Sequence, residues 1–527
     1  MTRQDERRRE LNDMEWSDYQ LAVRDACSAN TGKSIAVNAV AGSGKSTTIE
    51  WLVLTGVMMG TVLVCAFNKH IATPMAELLK PASNAEVCTI NSHGNRTTKY
   101  HSGRRDWDYL DSGKYRNMVR DALRATSNGV GEIARAVGDI WPQASLCRLV
   151  DLARTTLAAS VSTSGRVTLA RADYNNMVNN FDITVEPELD NYMYETCVQV
   201  LQRGLDAWKE VIDFTDQNWL PVVLKMRPKT YDWVIVDEAQ DLNAMQLEYV
   251  TKCAGTSGRV LAVGDPRQAM YGFTGAMPDS FDRIVARTDA TVLPLSVCYR
   301  SPTSHLDLAR EIVPYIEDGP NAIQGEVGTR AWSGLDEQWE MDDLVLCRLN
   351  APILELAYDQ IGKGVGARIR GGDLGKGLKA DIKKISKQRG FTYETFATWA
   401  GRFLEMEVNS ILRRNGGDDE DPAISRKHDR AACVMLIYNN NPQCRDIACL
   451  NRAIDVLFDE KNATVILSSV HKAKGETTNR VFLLQPELMP LSFVTKDWQI
   501  QQEWNIKYVA LTRAKTGLFT IIDDRAA

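Results

Sequence analysis

Residues 34–54, SIAVNAVAGSGKSTTIEWLVL, decide the fold. A short β-branched run, 34–40, ends in a glycine-rich turn that opens onto a helix-like segment. Gly42 and Gly44 allow the sharp turn that aims several backbone N–H groups at one phosphate. Lys45 can reach β- and γ-phosphates, and the Ser46 hydroxyl can ligate Mg²⁺. The helix that follows adds its positive end to the same point. Ala39 stands where the general pattern has glycine. The nucleotide-binding residues expected here are Ala41, Gly42, Ser43, Gly44, Lys45, Ser46 and Thr47.

Outward from this turn, further runs read as buried strands: 61–67 (TVLVCAF), 233–239 (WVIVDEA), 259–265 (RVLAVGD), 343–349 (DLVLCRL), 463–470 (ATVILSSV) and 480–485 (RVFLLQ). They are continuously apolar rather than alternating, as parallel strands covered on both faces are. Helix-period segments separate them, so the class is α/β. Residues 97–215 and 375–455 hold few such runs. The layout expected is two α/β domains with parallel sheets, each interrupted by a mainly helical insertion. The segments are 1–96, 216–300 for the first domain with insertion 97–215, and 301–374, 456–527 for the second with insertion 375–455.

The run VIVDEAQD (234–241) puts two acids at the carboxyl end of a buried strand, the edge where open α/β sheets bind ligands. Asp237 suits a Mg²⁺ shell, and Glu238, pointing the other way along the strand, suits the water that attacks a phosphate.

The chain has 527 residues, with 62 Lys+Arg against 68 Asp+Glu, a net charge of -6. A surface that grips polyanions must therefore be a local basic lining. Eleven scattered cysteines argue against a disulfide framework and for a reducing compartment. A metal site drawn from His428, Cys433, Cys444 and Cys449 is weakly supported by spacing, because the final pair is CxxxxC. The uncharged run 51–68 is broken by Gly56 and Gly60 and is not a membrane anchor. The acidic run 415–422, NGGDDEDP, reads as a solvated turn.

Four more stretches occur in order: VGDPRQAMYGFTGA (263–276), LSVCYRS (295–301), SSVHKAKG (468–475) and KYVALTRAK (507–515). With the two sites above, the chain resembles superfamily 1 DNA helicases of the UvrD/Rep type over about residues 14 to 518. AFNKHIA (66–72), DFTD (213–216) and RGGDLGKG (370–377) look closer to compact phage-type and F-box-helicase-like members.

The resemblance implies two RecA-like domains, ATP with Mg²⁺ between them, and single-stranded DNA across their top. It implies that Gln20 reads adenine and Tyr299 stacks on the base. Gln268 would sense the γ-phosphate, and Arg300 and Arg513 would supply charge to the transferring group. For DNA it implies Asn68, Lys69, Thr89, Asn91, Ser92, Tyr271, Phe273, Ser469 and His471, a set of polar groups and aromatic faces suited to a single strand. Glu476 stands one place from the family's usual glutamate. The expected activity is ATP-driven 3′→5′ translocation and duplex unwinding by a monomer in the cytoplasm, on nucleoid or phage DNA. Single-stranded DNA, single/double-strand junctions and replication or recombination proteins are its expected partners. A strand remodeller and a nucleotide-gated binding subunit are the alternatives, and a nuclease fusion is disfavoured.

Overall fold

The computed structural model describes residues 3–525 apart from 30, 67, 105–108, 126–140, 182, 184, 271–278, 415–421, 460, 462, 493 and 495. Tyr271 and Phe273, and most of the acidic run 415–422, lie outside the described residues. The chain divides into two compact units, Met1–Ser296 and Val297–Ala527.

In the first unit the strands are β1 (Ile35–Ala39), β2 (Val62–Ala66), β3 (Ala85–Thr89), an inserted hairpin β4 (Ala159–Val161) and β5 (Val167–Leu169), then β6 (Trp233–Asp237), β7 (Arg259–Gly264) and β8 (Thr291–Leu295). Apart from the hairpin they form one sheet in the order β3-β2-β6-β7-β1-β8, parallel throughout. Successive strand residues alternate between two cores. Ile35, Val37, Val62, Val64, Ile235 and Leu261 enter one, and Ala36, Leu63, Cys65, Val234, Val236 and Ala262 enter the other. Helices cover both faces, which is why the runs read as continuously apolar.

The insertion in this unit has a core separate from the sheet's, built around Leu149, Met193 and Val200, into which Trp219 and Met245 of the following segment also pack. Its helices include Lys114–Ala125, Trp141–Thr155, Arg171–Asn180 and Asp190–Asp206. The expected boundary at 96/97 falls inside the helix Ile90–Ser102, which belongs to the sheet's own layer because it continues directly from β3.

The second unit opens with the parallel pair β9 (Val297–Cys298) and β10 (Glu317–Asp318). It continues with β11 (Glu326–Ala331), β12 (Asp343–Cys347), β13 (Ala367–Ile369), β14 (Val465–Ser469), β15 (Thr478–Leu484) and β16 (Ala514–Ile522). These six form a second parallel sheet, β11-β16-β15-β12-β14-β13. Between β13 and β14 lie the helices Gly372–Ser386, Phe396–Arg414, Pro422–Asn439 and Ile447–Leu457. Unlike the first insertion, they share one core with the sheet, with Leu378, Phe396, Cys433 and Leu450 in the same cluster as Val345, Val465 and Phe482.

The expectation that the cysteines form no disulfide framework is corrected at one pair. Cys444 and Cys449 are disulfide-bonded, their Cα atoms 5.3 Å apart across the turn between two helices. That bond also removes two ligands from the metal set read around His428, and among the described residues no group of three or more His, Cys, Asp or Glu is arranged to hold a metal ion. No described helix is long and apolar enough to cross a membrane.

Candidate nucleotide site and nucleic-acid edge

Because every strand of the first sheet runs the same way, the ends of β1, β6 and β7 lie side by side at its centre, with β2 and β3 on one flank. Val40–Gly44 leads from β1 into the helix Lys45–Leu54. Gly42 (φ 68°) and Gly44 (φ 78°) both adopt the left-handed conformation that side chains resist. Gly44 caps the helix without any side-chain hydrogen bond, so its first N–H groups are not claimed by a cap. The Ser43 hydroxyl is buried with no hydrogen-bond partner. An orphaned donor beside uncapped helix N–H groups fits an anion such as a phosphate.

Lys45 Nζ stands 3.6 Å from Glu238 Oε1, both side chains mostly shielded from water. Asp237, the last residue of β6, is buried and accepts from the Glu238 N–H at 2.9 Å. Glu238 does not continue the strand's alternation: its φ of 54° turns the chain into a 3₁₀ turn, Ala239–Asp241, and aims its carboxylate at Lys45. Ser46 is exposed beside Lys45.

Gln240 ties this arrangement together. Its Nε2 donates to Glu238 Oε2 at 2.5 Å, and its Oε1 accepts from the Asp265 N–H at 3.0 Å. Gln268 in turn donates to Asp265 Oδ2 at 2.6 Å. Burial pushes the Asp265 carboxyl up, against the pull of Lys45 and of the Gln268 bond. Thus Glu238, Gln240, Asp265 and Gln268 form one chain of contacts from β6 to β7. Gln240 carried no role in the sequence reading, although it lies inside VIVDEAQD; only its fold-back across a turn gives it one.

Gln20 is buried and closes a capping box with the N-cap Ser17, its Oε1 accepting from the Ser17 N–H. Its Nε2 donates to Thr48 Oγ1 at 3.0 Å, which holds it against the helix Lys45–Leu54. Trp16 stacks on Trp51 with ring centroids 4.0 Å apart, and Arg7 makes two bonds to the buried Glu50, so the N-terminal helices are fastened to this helix.

On the flank, Asn68 and Thr89 are N-caps, accepting from the N–H groups of Ile71 and Ser92. Lys69 and Ser92 are exposed. Asn91 accepts from Asn218 Nδ2 at 2.7 Å and donates to the Phe214 carbonyl at 3.2 Å. The helix Ile90–Ser102 comes this close to the helix Asp216–Val223 because of Gly94, where a Cβ would meet the Gln217 carbonyl at 2.3 Å.

In the second unit, Tyr299 is 45% exposed and Arg300 follows it just past β9. Ser469 ends β14. The half-buried His471 ring is driven down to a pKa of about 3 by burial and by Arg348 and Lys472, so it is neutral at physiological pH. Arg513 is buried, donating to the carbonyls of Val509 (3.0 Å) and Glu476 (3.2 Å). The Glu476 carboxylate pairs with Arg370.

Residues 22–288 match the UvrD/REP helicase N-terminal domain, and residues 441–525 match the UvrD-like helicase C-terminal domain. The chain is 24% identical to the ATP-dependent DNA helicase UvrD2 of Mycobacterium tuberculosis, covering 94% of this chain and 77% of that protein. It is 29% identical to DNA helicase II of Escherichia coli over 25% of this chain and 18% of the relative. To F-box DNA helicase protein 1 of Schizosaccharomyces pombe it is 24% identical over 55% of this chain and 33% of the relative. With its phosphate loop, carboxylate pair and two parallel sheets matched over more than half its length, the chain belongs to the UvrD/Rep family of ATP-hydrolysing DNA helicases.

Proposed function

We propose that the chain translocates 3′→5′ along single-stranded DNA at the expense of ATP and unwinds the duplex it meets. The observation that carries this reading is the shared sheet edge: the phosphate loop and carboxylates lie at its centre, and the polar residues Asn68, Thr89, Asn91 and Ser92 lie on its β2–β3 flank.

Ser43 and the uncapped N–H groups hold the triphosphate, with Lys45 on its β- and γ-phosphates and Ala41, Gly42, Gly44 and Thr47 around it. Asp237 and Ser46 would hold Mg²⁺, which when bound neutralises charge on the phosphate oxygens. Lys45 leaves Glu238 for the phosphate, and the released carboxylate accepts a proton from the attacking water. Gln268, held by Asp265, reports the state of that site. Gln20 reads adenine by exchanging its Thr48 contact, Tyr299 stacks on the base, and Arg300 and Arg513 supply charge to the transferring group. Lys69, Ser469, His471, Tyr271 and Phe273 complete the grip on the strand. Its partners are single-stranded DNA and single/double-strand junctions, with replication or recombination proteins acting beside it, and it works as a monomer in the cytoplasm.

The test is ATP hydrolysis with and without single-stranded DNA, then strand displacement on 3′-tailed and 5′-tailed duplexes. Stimulation by DNA and unwinding from 3′ tails are expected, and Lys45→Ala should abolish both. Unwinding from 5′ tails alone would overturn the polarity, and hydrolysis indifferent to DNA would overturn the coupling.

A further inference from the structure

The helix Ile90–Ser102 begins with the DNA-facing residues Asn91 and Ser92, but its solvent face continues well past them. Exposure recurs at Ser92, Arg96 and Tyr100, one stripe of the helix. Tyr100 is 84% exposed, a large ring left in water beside His101. Arg96 and Lys99 share its helix, Arg104 follows the helix end, Arg227 meets that end through His101, and Lys229 is linked to Arg96 through Glu86. Arg96 and Lys229 flank the same carboxylate, Glu86, while Arg227 gives its carbonyl to His101, and Arg104 donates to the carbonyls of Lys209 and Glu210. The side chains of Arg96 and Lys229 remain 53% and 64% exposed. Five cations against Glu86 and Glu210 make a positive field on a chain whose net charge is -6.

We propose that this stripe carries the single strand onward from Asn91 and Ser92, with phosphates on the cations and one unpaired base stacked on Tyr100. The inference rests on the reading of Asn91 and Ser92 as DNA contacts. An isolated exposed aromatic among cations suits a single strand, because every unpaired base offers a π-face and a backbone charge, whereas a duplex hides the face. From Ser92 to Tyr100 the helix rises about 12 Å, room for about three nucleotides at a stacked rise of ~3.4 Å. Hydrogen bonds from Tyr231 and Lys229 hold the half-buried Glu86 in this surface as an anion. Burial would raise its carboxyl, but the Tyr231 hydroxyl, Lys229 and Arg96 hold it down at about 2, so it organises the two cations rather than titrating between them.

The experiment is equilibrium binding of a series of oligothymidylates of increasing length to the full chain, repeated at several salt concentrations. Tyr100→Ala should weaken the longer oligomers about tenfold and leave the shortest that bind unaffected, while Tyr100→Phe, which keeps the ring, should match the unmodified chain. Replacing Lys99 and Arg227 together by Ala should make the logarithmic salt slope shallower by about 1.4 on long oligomers. Unchanged binding, an equal loss at all lengths, or an equal loss on blunt duplex would each overturn the proposal. The underlying reading is judged separately by replacing Asn91 and Ser92 with Ala. Loss of short-oligomer binding there, with Tyr100→Ala silent at every length, would sink the extended track alone; no loss there would sink the underlying reading.

Discussion

Gly264 closes β7 at the point where Gln240 folds back across it. A methyl group added there would come 2.4 Å from Gln240 Oε1, with the Ala239 and Gln240 nitrogens at 3.1 Å. Gln240 cannot step aside cheaply, because one end is bonded to Glu238 and the other to Asp265. Gly264→Ala should therefore lower the maximal rate of DNA-stimulated ATP hydrolysis at least tenfold, at a stability cost of about 1–3 kcal/mol. Paired steady-state kinetics and urea unfolding would check it, and an unchanged rate would show that the Gln240 bridge is dispensable. Glu238→Gln tests the neighbouring atom. It removes the proton acceptor but keeps the side chain's shape, so nucleotide binding should persist while turnover falls by about 10²–10⁴. Residue types at this site were legible in the sequence because phosphate chemistry restricts them. The Lys45–Glu238 pairing and the left-handed turn at Glu238 were not, since alternation along β6 put that carboxylate elsewhere.

At the scale of elements, the seven apolar runs are all strands, whereas in the two six-stranded sheets β3, β8, β11, β13 and β16 escaped notice. Four of these five are sheet edges. An edge strand is covered less completely, so β8 tolerates Pro294 and exposed Val292, and β11 alternates instead of running apolar. β16 lies inside its sheet, but Lys515, Thr516 and Gly517 dilute its pattern. The DFTD run, noticed as a resemblance, proves to anchor the first insertion. Lys114 donates to Asp216 at 2.6 Å, and Arg154 reaches Asp213 (2.7 Å) and Asp216 (2.9 Å), with Tyr115 bonded to the same Asp216. Lys114, Arg154 and Asp216 are almost wholly buried. Removing one partner leaves an unmatched charge in the core. Lys114→Met should cost about 3–5 kcal/mol in urea unfolding of the first unit, far more than loss of an exposed pair such as Arg283–Asp279. Equal costs would mean that the buried cluster relaxes or admits water.

For the molecule as a whole, the buried histidines set how acid acts on each unit. His93 lies in the first unit between the hydroxyls of Tyr249 (2.7 Å) and Tyr231 (3.3 Å), with the Cys253 thiol at 3.7 Å. Burial drives its pKa from 6.5 down to about 4; Arg96 and Lys229 push the same way and Glu86 opposes them. The unfolded chain then binds the proton more readily than the folded one. Stability is complete above pH 6.5 and is lost as pH falls toward 4. Between pH 7 and pH 5 this one residue should remove about 2 kcal/mol. His305 and His471 are lowered by burial in the second unit, so it shifts in the same sense. Glu86, held at about 2, adds its own loss only below its ordinary range near 4.5. Asp265 and Asp216 act oppositely: burial raises both carboxyls, so each costs stability at neutral pH and the cost is relieved as pH falls through its raised folded value. These carboxylates are the same in the His93→Gln variant, so the difference between that variant and the unmodified chain isolates the histidine. His93→Gln keeps a hydrogen-bonding side chain between the two tyrosines but cannot titrate. Urea unfolding at pH 7 and pH 5 should show the first unit's acid loss shrinking by about 2 kcal/mol in that variant. If the loss is unchanged, His93 is protonated as easily folded as unfolded, and the pocket around it is open to water.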